Sequence, residues 1–243
     1  MRSTKAIFHL ALIVPALSAL AAPAMAAERS FLIGSFEELL VEGDMQVIFD
    51  NNRSPSAKAS GDRQMIEAVK IERNGRTLRV RIQEYEGQTS KAPATTPLVI
   101  RLGGRDVNRI SVDGSANVTV NQMRVIGGTG TVKLSGPGSI DITRLESDRL
   151  SLSVAGQGIV KIGSGTVRAA QIGINGGATV DAAGLRLQQA KLAQTGNAAT
   201  HLQVTDTVEI VNSGSGSITI DGKATCFIRQ PGSARIICGK ATK

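Results

Sequence analysis

The sequence predicts an all-β chain wound as a parallel β-helix of about seven short coils, each near 20 residues long. Three observations carry this reading. A glycine-headed tripeptide recurs at Gly114, Gly136, Gly156, Gly176, Gly196, Gly214 and Gly232, with spacings of 22, 20, 20, 20, 18 and 18 residues. The residue two positions after each of these glycines is always Gly or Ala. Apolar residues then alternate with polar ones on both sides of the tripeptide, as in strands with one buried face.

The chain opens with Arg2 and Lys5, an apolar run from Ile7 to Ala22, and the small-residue stretch Pro23-Ala24-Met25-Ala26. That arrangement is a secretory signal peptide over residues 1–26, with cleavage expected after Ala26. The run falls short of the ~20 residues of a membrane span. No cysteine follows it to take a lipid anchor, and no later stretch of the mature chain reads as transmembrane. The mature protein is then 217 residues long, and losing Arg2 and Lys5 lowers the formal charge from +8 to +6. An exported protein of the periplasm or cell surface is expected.

Residues 27–102 read as a β-rich N-terminal section that starts or caps the stack. Val41 to Phe49, Met65 to Glu72 and Thr77 to Ile82 have strand character, and Asn74-Gly75 suits a hairpin turn. Gln83 to Pro97 is polar and holds two prolines, as in a loop.

Residues 103–243 hold the coils. Downstream of the glycines stand pairs such as Val118 and Val120, Ile140 and Ile142, Val160 and Ile162. Upstream stand Ile110 and Val112, Val132 and Leu134, Leu152 and Val154, Ile172 and Ile174; the pattern then weakens at Gln194, Asn212 and Gln230. Each unit therefore reads as strand, glycine corner, strand and a looser third side. One unit cannot bury its apolar face alone but can stack on its copies. At about 4.8 Å per coil the stack is on the order of 30 Å long. The two cysteines, Cys226 and Cys238, stand near the C-terminus, and an oxidising compartment would join them as a cap.

The opening Phe36-Glu37-Glu38-Leu39, followed by Ser/Asn-Gly-x-Gly/Ala coils, resembles the head GIN domain family, the heads of putative autotransporter adhesins. The tripeptide Gly173-Ile174-Asn175 is present literally, with Gly176-Gly177 after it. The resemblance covers nearly all of the mature chain and rests on glycine corners, so it speaks to fold rather than activity. It implies a right-handed β-helix in a secreted or envelope protein. An autotransporter carries a C-terminal membrane barrel, and no aromatic-girdled strands precede Lys243, so an adhesin head here would be held at the surface by something else.

Candidate chemistry is sparse. Five residues after each corner stand Thr119, Asp141, Lys161, Asp181, His201, Thr219 and Ile237. In-register stacking would make Asp141, Lys161, Asp181 and His201 a ladder of alternating charge on an outer face. A polysaccharide lyase or hydrolase would place its carboxylates there. Ordinary cross-strand pairing, a few tenths of a kcal/mol per pair, needs no such function. Asp141 and Asp181 would stand ~9.6 Å apart by strand spacing, within the separation of glycosidase carboxylate pairs. The short, uniform coils offer no insertions to wall a cleft. His201 is the only histidine of the mature chain and no Ser sits in a strand-to-helix elbow pattern, which speaks against a nucleophilic triad, and a histidine–cysteine metal site is excluded by count. No cofactor is expected.

Binding is the better expectation. The mature chain has no Trp and only Tyr85, Phe31, Phe36, Phe49 and Phe227 as aromatics, too few for stacked sugar rings or nucleic acid. A polar, basic surface built on Arg101, Arg105 and Arg109 would suit an anionic cell-surface polysaccharide, although scattered solubilising charge accounts for them more simply, and an envelope protein is the other expected partner. The reading is therefore a non-enzymatic envelope protein with a structural or adhesin-like role; the alternative is a carbohydrate-active enzyme.

Overall fold

The computed structural model describes residues 27–83 and 97–240. The expected signal peptide, most of the polar loop (84–96) and the last three residues lie outside the described residues. The N-terminal section holds β1 (Ala27–Phe31), β2 (Glu38–Glu42), β3 (Gln46–Asp50), β4 (Ser56–Gly61), α1 (Arg63–Ala68), β5 (Val69–Asn74), β6 (Thr77–Ile82) and β7 (Val99–Gly103). The coils are built from β8 (Arg109–Asp113) and the long, bent β9 (Asn117–Ser135), β10 (Ser139–Gly156), β11 (Ile159–Gly176), β12 (Thr179–Thr195) and β13 (Ala199–Asn212). Three short strands finish the chain: β14 (Ser217–Asp221), β15 (Thr225–Arg229) and β16 (Arg235–Lys240).

These strands form a parallel β-solenoid of about six turns. The seven coils expected from the sequence are close to this number. The bent strands run in parallel register for most of their length: Ile140 pairs with Val118 and Val160, and Leu152 with Val132 and Ile172. Inward positions are apolar and buried, so one continuous core runs from Phe36 to Ile220. Each fully buried Val, Leu or Ile contributes about 1.5–3 kcal/mol.

Close approach makes glycine necessary at the corners. Gly136 has φ +112°, and a Cβ there would stand 2.6 Å from the Gly114 carbonyl oxygen of the coil beneath. At Gly214 φ is not positive, but a Cβ would overlap the Gly196 backbone. Gly43, with φ +106°, heads the same column under Gly114. Sequence spacing conceals it, because Met45 takes the small-residue position and 71 residues separate the two glycines.

The third side of each coil is also hydrogen-bonded strand. Leu145 pairs with Met123 and Gly165, and Gly165 with Leu185. Only one or two of its residues per coil point inward, too few for a readable alternation. This side also absorbs the changes in coil length. The register shifts opposite Ser147–Arg149, where the three residues Ile126 to Gly128 face Asp148 alone, and again between Ala182 and Gln189, where 20 residues become 18.

Sheet order departs from chain order at the N-terminal end. After the first coil, β2 and β3, the chain builds β4 to β7 beneath it and returns at β8 above it, so β3 lies between β7 and β9. Antiparallel pairs close this end: β4 on β7, β1 on β4, and β5 on β6. Residues 65–68, expected as strand, belong to α1, whose N-cap Asp62 accepts a hydrogen bond from the Gln64 amide at 2.9 Å. The Asn74-Gly75 hairpin forms as expected, with Gly75 at φ +59°.

Inside the later coils the core turns polar. Gln194, Thr200 and Asn212 are buried. Thr200 Oγ1 donates to Gln194 Oε1 at 2.6 Å, Gln194 Nε2 donates to the Ala198 carbonyl at 3.0 Å, and Asn212 Nδ2 donates to the Gly214 carbonyl at 3.0 Å. At Gln194 and Asn212 the weakening apolar pattern thus marks amides that turn inward and tie down the glycine corner, whereas Gln230 in the last coil is exposed.

Candidate functional site: an axial groove and a charged ladder

A groove of about 680 Å³ runs along the solenoid axis between two outward-facing columns of side chains. One wall carries Thr129, Arg149, Ala169, Gln189 and Thr207, each paired in register with the next. The other carries Ser151, Gln171, Lys191, Glu209 and Phe227, likewise in register. Leu150, Ala170 and Ala190 form the floor. Successive wall residues stand one strand spacing apart, about 4.8 Å. Alanine at two successive inward positions, flanked by longer side chains in both outward columns, leaves the floor low, and the groove needs no insertion. Uniform coil length therefore did not betray it; the alanines six residues before Gly176 and Gly196 are the sequence trace it leaves.

The groove walls are polar and partly paired. Arg149 Nε donates to Thr129 Oγ1 at 3.1 Å, and Gln189 Nε2 donates to Asp206 Oδ2 at 3.3 Å. Lys191 Nζ lies 2.8 Å from Glu209 Oε2 across adjacent coils. The hydrogen bond, then the charge attraction, raises the Lys191 pKa and lowers that of Glu209. Arg149 brings a positive charge to the groove edge, and exposed Phe227 stands at its C-terminal end.

The ladder five residues past the corners stacks in register: Thr119 beside Asp141, then Lys161, Asp181, His201 and Thr219. His201 Nε2 is 2.7 Å from Asp221 Oδ2, and its Nδ1 is 4.0 Å from Asp181 Oδ1. Among the described residues, Lys161 has no ion pair within 4.0 Å, and no group of three His, Cys, Asp or Glu side chains is placed to hold a metal. The ladder is a sheet face, not a cleft.

Arg101 and Arg109 stand on two different sides of the prism, with Arg105 on the bend between them. Arg101, on β7, pairs in register with Ile48 and points its Nη1 to Ser60 Oγ at 3.4 Å. Arg109, on β8, lies on another side, where its Nε is 3.5 Å from Glu38 Oε1. That ladder continues with Thr77 Oγ1 donating to Glu38 Oε2 at 2.7 Å, and with Arg79 bridging both oxygens of Glu42 at 2.8 and 2.9 Å. Arg105 lies exposed on the bend between the two strands.

At the C-terminal end Cys226 and Cys238 form a disulfide, with Cα atoms 6.7 Å apart. It joins β15 to β16. Cys226 stacks on buried Val208 and Cys238 on buried Ile220, so the bond lies over the end of the core.

Comparison with known proteins agrees with this architecture. No curated protein sequence matches the chain. A putative adhesin from Bacteroides fragilis superposes with a TM-score of 0.75 at 18% identity, covering 90% of this chain and 97% of that one. A putative lipid binding protein from Parabacteroides distasonis gives 0.64 at 17% identity, covering 89% and 97%. A putative adhesin from the same species gives 0.61 at 18% identity, covering 88% and 96%. At such identities the likeness is one of fold. Among the described residues, no helix is long and apolar enough to cross a membrane. The family model for putative auto-transporter adhesins matches residues 35–224, well over half of the sequence, and the chain belongs to this head GIN domain family.

Proposed function

We propose that the protein is an exported, non-enzymatic binding module of the bacterial envelope with an adhesin-like role, and that it holds an extended anionic surface polysaccharide along its axial groove. The observation that carries this reading is the groove itself. Hydrogen-bonding side chains stand at four of the five coil positions along each wall, interrupted by Ala169 in one and ended by Phe227 in the other, and the one-coil translation is close to the rise of a sugar ring in an extended glycan. Arg149, which has no ion pair within 4.0 Å among the described residues, supplies positive charge, and the +6 of the mature chain adds a weaker, salt-sensitive attraction. Membership of an adhesin family supports the role, and secretion follows from the signal-peptide reading of residues 1–26.

The test is retention of the mature, oxidised protein on immobilised uronate or sulfated polysaccharides at low and high salt, alongside an assay for new reducing or unsaturated ends. Binding that persists at high salt and is lost in Arg149→Ala and Gln171→Ala supports the groove. Binding lost instead in Asp141→Asn or Asp181→Asn moves the site to the charged ladder. Release of chain ends, abolished by those aspartate variants, would establish the enzyme reading in its place.

A further inference from the structure

The two ends of the solenoid are finished differently. Antiparallel strands close the N-terminal end, whereas at the C-terminal end β15 pairs only with β13 and β16 only with β14. Among the described residues, nothing covers the outer edge of β15. Ile228 occupies an inward position above fully buried Ile210, yet it is 47% exposed because no coil stacks on it. Phe227 beside it is 59% exposed. The charge is one-sided as well. Between Asp221 and Lys243 the sequence has Lys223, Arg229, Arg235 and Lys240 and no acidic side chain. Asp221 is held by His201, and Glu209 below Phe227 is held by Lys191. Among the described residues, Lys223, Arg229 and Arg235 have no ion pair within 4.0 Å.

We propose that the open edge of β15 is a docking site for an extended, acidic segment of a partner envelope protein, which adds itself as a further strand. A sheet edge offers a row of backbone donors and acceptors that another strand satisfies. Alternate apolar side chains of that strand would cover Ile228, and its carboxylates would meet Arg229 and Arg235. A lipid surface fits less well, because hydrocarbon leaves the edge N–H and C=O groups without partners. A second copy docking end to end would set two basic faces against each other. The site is separate from the groove ligand and does not depend on it.

The experiment uses the mature, disulfide-bonded protein and three labelled peptides of about six residues: alternating valine and glutamate, its valine–lysine counterpart, and the acidic peptide with a central proline. The acidic peptide is expected to bind and to shift the amide resonances of Thr225 to Arg229, while the other two do not. The double variant Arg229→Glu, Arg235→Glu is expected to weaken binding by at least about tenfold, with an unchanged circular-dichroism spectrum. Equal binding of the lysine peptide, or no binding of the acidic one, overturns the proposal. So does capture by phosphatidylglycerol vesicles without peptide binding, or a mass that doubles with concentration and is abolished by the same double variant.

Discussion

The Thr200 hydroxyl donates to the Gln194 side-chain oxygen at 2.6 Å inside the solenoid, between two strands that meet at the same glycine corner. Gln194 holds the corner by its other end as well, through the Ala198 carbonyl. That carbonyl also accepts from the Ser217 amide at 2.9 Å, so it keeps a partner if the glutamine is removed. The pair therefore tests how a polar core is maintained. Gln194→Leu alone strands the buried Thr200 hydroxyl and should cost about 1–3 kcal/mol. Adding Thr200→Val removes the stranded group and should return stability to within about 1 kcal/mol of wild type. Urea unfolding of the two single variants and the double variant measures this coupling.

Glycine corners differ from glycines that merely occur in strands. Gly136→Ala places a Cβ against the Gly114 carbonyl at φ +112°, and backbone strain alone is about 1–3 kcal/mol there. Gly173, within the literal Gly-Ile-Asn tripeptide, has open space where its Cβ would stand. Gly173→Ala should be neutral or stabilise by up to about 1 kcal/mol. Comparable losses for both variants in thermal melts would refute the corner argument.

The Cys226–Cys238 bond spans a sequence separation of 12. Loop-closure entropy for a loop of that size is worth a little under about 3 kcal/mol. Reduction, or Cys226→Ala with Cys238→Ala, should lower the melting temperature and speed hydrogen exchange in β15 and β16 before β10 and β11. Uniform loss of protection along the whole solenoid would count against a local clasp.

The Lys191–Glu209 pair gives the groove wall a defined pH response. The Glu209 pKa is lowered, so its contribution is present above the ordinary carboxylate value of 4.5 and is lost as pH falls through the lowered value. The Lys191 pKa is raised, so its contribution is present below 10.5 and is lost as pH rises through the raised value. Both groups are exposed, and the expected readout is titration rather than global stability. In Lys191→Met the Glu209 carboxyl should titrate closer to its ordinary value by NMR. An unmoved titration would show that the pair does not persist in solution.

The sequence alone was enough to establish the parallel solenoid, its corners from Gly114 to Gly232, and the in-register ladder through Asp141, Lys161, Asp181 and His201. These follow from short-range rules: alternation sets which side chains face inward, and a constant spacing places equivalent residues one above another. The cysteine pair was legible for a similar reason, since only two exist and both fall in the last coil. The Gly43 corner was not, because a 71-residue excursion separates it from Gly114 and only the folded chain brings them together. The groove between Arg149 and Lys191 escaped a reading based on coil length, because it depends on which side chains of successive coils stand beside the small floor residues. The inward turn of Gln194, the division of Arg101 and Arg109 between separate sides, and the uncovered edge at Ile228 were likewise decided by tertiary structure. Periodicity specifies neighbours along and across strands, whereas concavity, burial of an amide and the fate of a sheet edge depend on how whole coils meet or fail to meet.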